Sequence, residues 1–237
     1  GKLFKVNLSD RGRMYDTTEL FDAEGNTVNQ RASFMPVTTS TDGDDKVWAY
    51  FGTGNLKKEK VHLSLSTIQN RIFGIKDQQF PNFSSVGKST ISSLNNVTSK
   101  GEMCPGEDDL GWYIDLKRDE KVTNKLAISQ GVLTAPLYTP DTAQVCFPGT
   151  SALTEIGYKC GNTRRRTALG SGQVTGVRVF NNKVYAGISG IPAANGDTEI
   201  DLENEFKLKG NIVSGSPVTP ESGGSSTLTV ESWRERY

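Results

Sequence analysis

Apolar residues fall along this chain in short bursts, alternating with polar ones or running together briefly before clusters of Gly, Asn, Asp, Ser or Thr. Such punctuated alternation predicts β-strands, because successive side chains of an extended chain point to opposite faces. Lys2-Leu3-Phe4-Lys5-Val6-Asn7-Leu8 alternates and stops at the turn-like Ser9-Asp10-Arg11-Gly12. Segments 19–23 and 28–39 predict two more strands around a Glu24-Gly25-Asn26 turn. Lys46-Val47-Trp48-Ala49-Tyr50-Phe51 then leads through Gly52-Thr53-Gly54 and a polar excursion to a strand over 70–77. Residues 78–108, rich in Ser, Asn, Gly and Lys with little periodicity, read as a long surface insertion without secondary structure of its own.

Order resumes at Gly111-Trp112-Tyr113-Ile114-Asp115-Leu116, followed by strands over 122–129, 131–138 and 150–158. Strands over 173–180 and 183–189 flank Asn181-Asn182, a hairpin turn. Segment 199–208 fits an added strand or a short helix, and the Gly/Ser/Pro-rich 214–226 reads as a linker before a terminal strand at 227–233.

Three of these strands recur in similar settings: Lys2-Leu3-Phe4-Lys5-Val6, Arg71-Ile72-Phe73-Gly74-Ile75 and Ser151-Ala152-Leu153-Thr154-Glu155-Ile156. The second and third each follow another apolar strand, which defines a four-stranded antiparallel meander as the unit. Its period, about 70 to 85 residues, exceeds the roughly 40 to 50 of a propeller blade, and the insertion accounts for much of the excess. The expected fold is therefore all-β: blades of a single β-propeller domain over 1–237, with one isolated N-terminal strand, two full meanders and one partial blade. A ring of about four to eight blades would stay incomplete, so the remainder of the same propeller or a completing chain is the expected partner.

Composition narrows the function. Lys plus Arg and Asp plus Glu both number 27, so no overall field recruits nucleic acid or an anionic membrane. No apolar run is long enough to span a bilayer. The chain begins without Met and without the apolar core of a secretory signal, as expected of a mature product or fragment whose export signal lay upstream.

Hydrolytic triads and most acid–base schemes want histidine, and His62 is the chain's single one, in a polar stretch. Catalysis is therefore not expected. Gly87-Lys88-Ser89-Thr90 imitates the end of a phosphate-binding loop, but Asn82 stands where that pattern needs Gly and no helix pattern follows. Gly170-Ser171-Gly172-Gln173-Val174-Thr175-Gly176 runs into a strand and reads as a turn. Neither Asp42, Asp44 and Asp45 nor Asn195, Asp197, Glu199 and Asp201 has the twelve-residue Ca²⁺ loop with a terminal Glu, so solvated hairpin tips are the favoured reading; the first group is the better candidate for Ca²⁺. Arg164, Arg165 and Arg166 form a basic run, read as a solvated loop that could meet a phosphate or an acidic protein face. Trp48, Tyr50, Trp112 and Tyr113 sit inside strand patterns and are expected to pack between blades. Cys104, Cys146 and Cys160 allow one disulfide with one thiol left over, or three buried thiols.

Several elements, taken in order, resemble the C-terminal domain of the type IV pilus tip and assembly proteins of the PilY type, called PilC in Neisseria. They are Gly1-Lys2-Leu3-Phe4-Lys5, Phe51-Gly52-Thr53-Gly54 followed by Arg71-Ile72-Phe73-Gly74-Ile75-Lys76-Asp77, Gly111-Trp112-Tyr113-Ile114-Asp115-Leu116, Thr139-Pro140 followed by Cys146 and Gly149-Thr150-Ser151, and the terminal Ser232-Trp233-Arg234-Glu235. The resemblance implies the C-terminal blades of a β-propeller carried at a pilus tip or outer cell surface, after export through the periplasm. It implies an adhesin and assembly factor that contacts minor pilins and host or abiotic surfaces without catalysis. The family's calcium loop would precede Gly1, so no Ca²⁺ ligand carries over to this chain. An oxidising compartment favours a disulfide. A meander places Cys146 at the opposite end of its blade from Cys104 and Cys160, which makes Cys104–Cys160 the expected pair. The alternative function is an exported quinoprotein-type propeller dehydrogenase, for which no convergent calcium-and-quinone pocket is visible in the sequence.

Overall fold

The computed structural model describes residues 1–8, 12–23, 31–54, 69–83, 89–99, 104–141, 148–190 and 199–219. These form four sheets. Sheet A holds β1 (Lys2–Val6), β2 (Thr17–Asp22) and β6 (Ser89–Thr90). Sheet B is the meander β3 (Thr38–Thr41), β4 (Val47–Gly52), β5 (Arg71–Asp77) and β8 (Gly111–Asp115), with β7 (Asn95–Asn96) along the edge of β8. Sheet C runs β10 (Ala127–Ser129), β11 (Val132–Thr139), β12 (Thr150–Gly157) and β13 (Thr163–Ser171), with β9 (Lys121–Val122) also paired to β11. Sheet D has the order β14 (Val174–Phe180), β15 (Lys183–Ile188), β18 (Ile212–Gly215), β17 (Lys207–Lys209) and β16 (Glu199–Asp201).

The period-two alternation of the strands connects these sheets in series. In β4, Trp48 and Tyr50 enter the core shared with sheet C, while their neighbour Phe51 enters the core shared with sheet A. β5 divides the same way, Ile72 toward sheet C and Phe73 and Ile75 toward sheet A. In β12, Ala152 and Ile156 face sheet B, whereas Leu153 packs with Val174 and Val184 of sheet D and with Phe206, just before β17. A strand buried on both faces has no solvent side to show, which is why β4, β5 and β11 carry apolar residues on both faces, while β12 buries Ser151, Thr154 and Glu155 beside its apolar ones. Three separate cores thus join A to B, B to C and C to D.

Both outer sheets mix charged and exposed apolar residues, Phe180 and Ile212 being the exposed apolar ones on sheet D. On sheet D, β15 turns Val184, Ala186 and Ile188 inward, and the opposite face carries Lys183, Lys207, Lys209, Glu199 and Asp201, with Lys207 ion-paired to Glu199 at 2.6 Å. On sheet A, Leu3 and Phe21 face sheet B, and Lys5 reaches across to Asp77 at 2.6 Å. Phe4 and Val6 point the other way and are exposed, as are Leu8, Met14 and Tyr15 beyond them.

Several expectations are corrected. The insertion at 78–108 is not structureless: it contributes β6, a 3-10 turn at Ile91–Ser93 and β7, because Leu94 and Val97 are apolar enough to be buried. The strand expected over 28–39 is confined to its last residues, since β3 begins at Thr38 and 31–37 is irregular. The strand expected over 122–129 divides into β9 and β10. Arg164, Arg165 and Arg166 lie within β13, in antiparallel register with β12, and not in a loop. Ser214 and Gly215, expected in a linker, end β18. The count of one strand, two meanders and a part becomes one three-stranded and three five-stranded sheets. In sheet D the chain crosses from β15 to the far edge and returns, so that sheet is not a simple meander. Asn181 and Asn182 do make the β14–β15 turn, both with positive φ, a backbone state that Asn tolerates well. The terminal strand expected at 227–233 lies outside the described residues. No helix among the described residues is long and apolar enough to cross a membrane.

Candidate binding surfaces

The Asp42 cluster sits in the β3–β4 turn and serves that turn. Asp42 Oδ1 accepts the backbone N–H of Asp44 (3.0 Å) and of Lys46 (2.9 Å), and Oδ2 accepts the Trp48 indole N–H at 2.9 Å. Burial pushes the Asp42 carboxyl up. The Trp48 indole, the Lys46 and Asp44 amides and the Lys159 charge outweigh burial and hold it below its ordinary value. Its oxygens are thus turned toward N–H donors of the protein. Among the described residues, no three His, Cys, Asp or Glu side chains gather closely enough to hold a metal ion. A carboxylate whose folded pKa is lowered stabilises the fold above its ordinary pKa and loses that contribution as pH falls through the lowered value. Asp42→Asn is therefore expected to cost about 1–2 kcal/mol at neutral pH. It should also narrow the gap between melting temperatures measured at pH 7 and pH 3; an unchanged gap would remove Asp42 from the account.

Two of the three arginines, Arg165 and Arg166, are fasteners across the sheets. Successive residues of β13 face opposite sides, so Arg165 turns toward sheet D and Arg166 toward sheet B. Arg165 pairs with the buried Glu155, donates to the carbonyls of Asn204 (3.2 Å) and Ser216, and lies over the Phe206 ring at 5.0 Å. Arg166 pairs with Glu120, which is 1% exposed and also accepts the Lys117 amide at 3.2 Å. The Arg164 Nε is buried without a hydrogen-bond partner. This arrangement offers no open cationic patch.

The aromatic residues divide as the strands do. Trp48 and Tyr50 stack with centroids 6.3 Å apart, and Tyr50 meets Trp112 at 6.2 Å, all between sheets B and C. Tyr113 faces sheet A and packs under the Arg71 guanidinium at 4.5 Å. Cys104 and Cys160 are disulfide-bonded, joining the inserted segment to the turn after β12. Ser89 and Thr90 of the phosphate-loop mimic form β6. Glu199 and Asp201 flank Lys207; the hydrogen bond and charge of its amine lower the Glu199 pKa, and Glu199 in turn raises that of Lys207. His62, Cys146, Asn195 and Asp197 lie outside the described residues.

The surface that sequence reasoning did not locate is the outer face and edge of sheet A. β1 has a strand on one side, β2, among the described residues, and its outward residues Phe4 and Val6 are 54% and 47% exposed, with Leu8 at 73%. The alternation of Lys2 to Leu8 identified the strand, but which face a strand buries depends on a neighbour that the alternation does not name.

The fold is thus an all-β series of sheets joined face to face. Among solved structures it is similar to the C-terminal domain of PilY1 from Pseudomonas aeruginosa, with a TM-score of 0.50 at 12% identity, over 67% of this chain and 44% of that one. The chain spans less than half the length of that structure. No protein-family model matches the chain, and no curated protein matches it in sequence.

Proposed function

We propose that the chain is a PilY-type module, four consecutive blades of a β-propeller, which supports type IV pilus assembly and attachment by protein contacts and without catalysis. The observation that carries this reading is the fold likeness to a PilY1 C-terminal domain, together with the order of sequence elements that resembles the family. The free edge of β1, with Phe4, Val6 and Leu8 exposed beside it, fits a propeller portion that is completed at sheet A, by further blades of the same protein or by another chain. The working surface then consists of the inserted segment and the edge of sheet A, which meet pilus subunits at the tip, outside the cell.

The test is co-sedimentation of the purified chain with sheared pilus filaments or purified minor pilins. Retention in the pellet with pilin is expected. A bound quinone absorbance with no pilin association would overturn the reading in favour of an exported dehydrogenase.

A further inference from the structure

Residues 89–99 with Cys104 form a strap across three sheets. Ser89 and Thr90 run parallel to Phe21 and Asp22 of sheet A, and Ser89 Oγ donates to the Leu20 carbonyl at 2.6 Å. Asn95 and Asn96 run parallel to Trp112 and Tyr113 of sheet B. The Val97 amide donates to the Tyr113 carbonyl at 3.1 Å, and the Asp115 amide donates to Thr98 Oγ1 at 2.7 Å. Cys104 then bonds Cys160, beyond β12 of sheet C. The same strap therefore covers the outer edge of β2 and of β8, two edges that would otherwise present unpaired backbone groups.

Its non-covalent hold is local: Asn95 donates to Asp109 at 2.7 Å, Asn96 donates to Asp115 at 3.3 Å, and its backbone pairing is short. Each strap strand is two residues long, and the pairing is parallel, the weaker ladder type. Leu94 and Val97 are its buried apolar anchors. Val97 lies beside Trp112 and Gly161, the residue that follows Cys160, so the covalent bond and that anchor act within one stretch of the chain. Cys104 is exposed, which opens the bond to a soluble reductant.

We propose that Cys104–Cys160 is the latch of a redox-released strap, whose opening uncovers the outer edges of sheets A and B while the four sheets stay folded. In the opening step a dithiol thiolate attacks one sulfur, forming a mixed disulfide. Its second thiol closes the reductant into a cyclic disulfide, so two electrons and two protons pass to Cys104 and Cys160. The strap adds Leu94 to the A–B core and Val97 to the B–C core and nothing to the C–D core; the other buried members of all three cores lie outside the strap, which is why release is local. The proposal stands independently of the pilus reading.

The experiment is amide hydrogen exchange on the whole chain, oxidised, reduced with dithiothreitol, and as Cys104→Ala. Peptides covering 89–99 and the Asp115 amide should exchange at least about tenfold faster in the reduced and variant forms, while β11 and β12 keep their protection. Unchanged exchange over 89–99 would overturn the proposal, as would loss of protection in β11 and β12 together with it. Far-UV circular dichroism of the same samples checks that the sheets persist; a collapsed spectrum would also count against local release.

Discussion

Truncating Trp112 to alanine is expected to destabilise the protein by about 3–5 kcal/mol, a large part of the roughly 5–15 kcal/mol that holds an ordinary domain together. Trp112 is fully buried on β8, at the centre of the core shared by sheets B and C. Gly74 stands directly across the β5–β8 ladder, and a Cβ there would fall inside the indole. Gly161 closes on the indole from sheet C in the same way. The ring thus fills a slot that two glycines leave open, and its Nε1–H donates across the sheets to the Tyr158 carbonyl at 3.1 Å. Trp112→Ala empties the slot and leaves that carbonyl without its donor. Trp112→Phe keeps much of the volume and loses the hydrogen bond together with the second ring, so it should cost less, about 1–3 kcal/mol. Gly74→Ala attacks the slot from the other side and should cost about 1–3 kcal/mol by overpacking. Urea unfolding of the three variants measures all of this; a Trp112→Ala cost below that of Trp112→Phe would show that the indole does not anchor the two sheets.

The strands that were legible in the sequence are those whose burial is settled by their own residues. β4, β5, β8, β11 and β12 carry apolar side chains on both faces, and such runs announce a strand between two sheets wherever it lies. β13 was not legible, because Thr163-Arg164-Arg165-Arg166 looks solvated until Glu155 and Glu120 are known to stand beside it. Those partners are set by the fold and not by spacing. β6 and β7 were illegible for another reason: two residues cannot show a period, and their pairing depends on edges built by β2 and β8. The Asp42 cluster reads two ways, since Thr41-Asp42-Gly43-Asp44-Asp45 has the composition of a cation loop as well as of a tight turn. The Trp48 indole, which takes one of the carboxylate oxygens, decides between them.

The second large effect is expected at Glu155. Removing one partner of a buried ion pair leaves the other charge uncompensated, at about 3–5 kcal/mol, so Glu155→Ala should weaken the protein nearly as much as Trp112→Ala. Glu155 is 1% exposed, and its second oxygen accepts the Val218 amide at 3.1 Å. Arg165 continues the chain of contacts into sheet D, through the Asn204 and Ser216 carbonyls and the Phe206 ring. The loss should therefore fall on the boundary between sheets C and D, with faster hydrogen exchange over β15 and β18 and little change over β4 and β5. Replacing both members, as Glu155→Met with Arg165→Leu, removes the stranded charge and should cost less than Glu155→Ala alone, because apolar groups of similar volume fit beside Phe206 and Leu153. A double-mutant cycle in urea measures the difference. If the double variant proves no more stable than the single one, the carbonyls of Asn204 and Ser216 depend on the guanidinium more than Glu155 does, and Arg165 is the fastener in its own right.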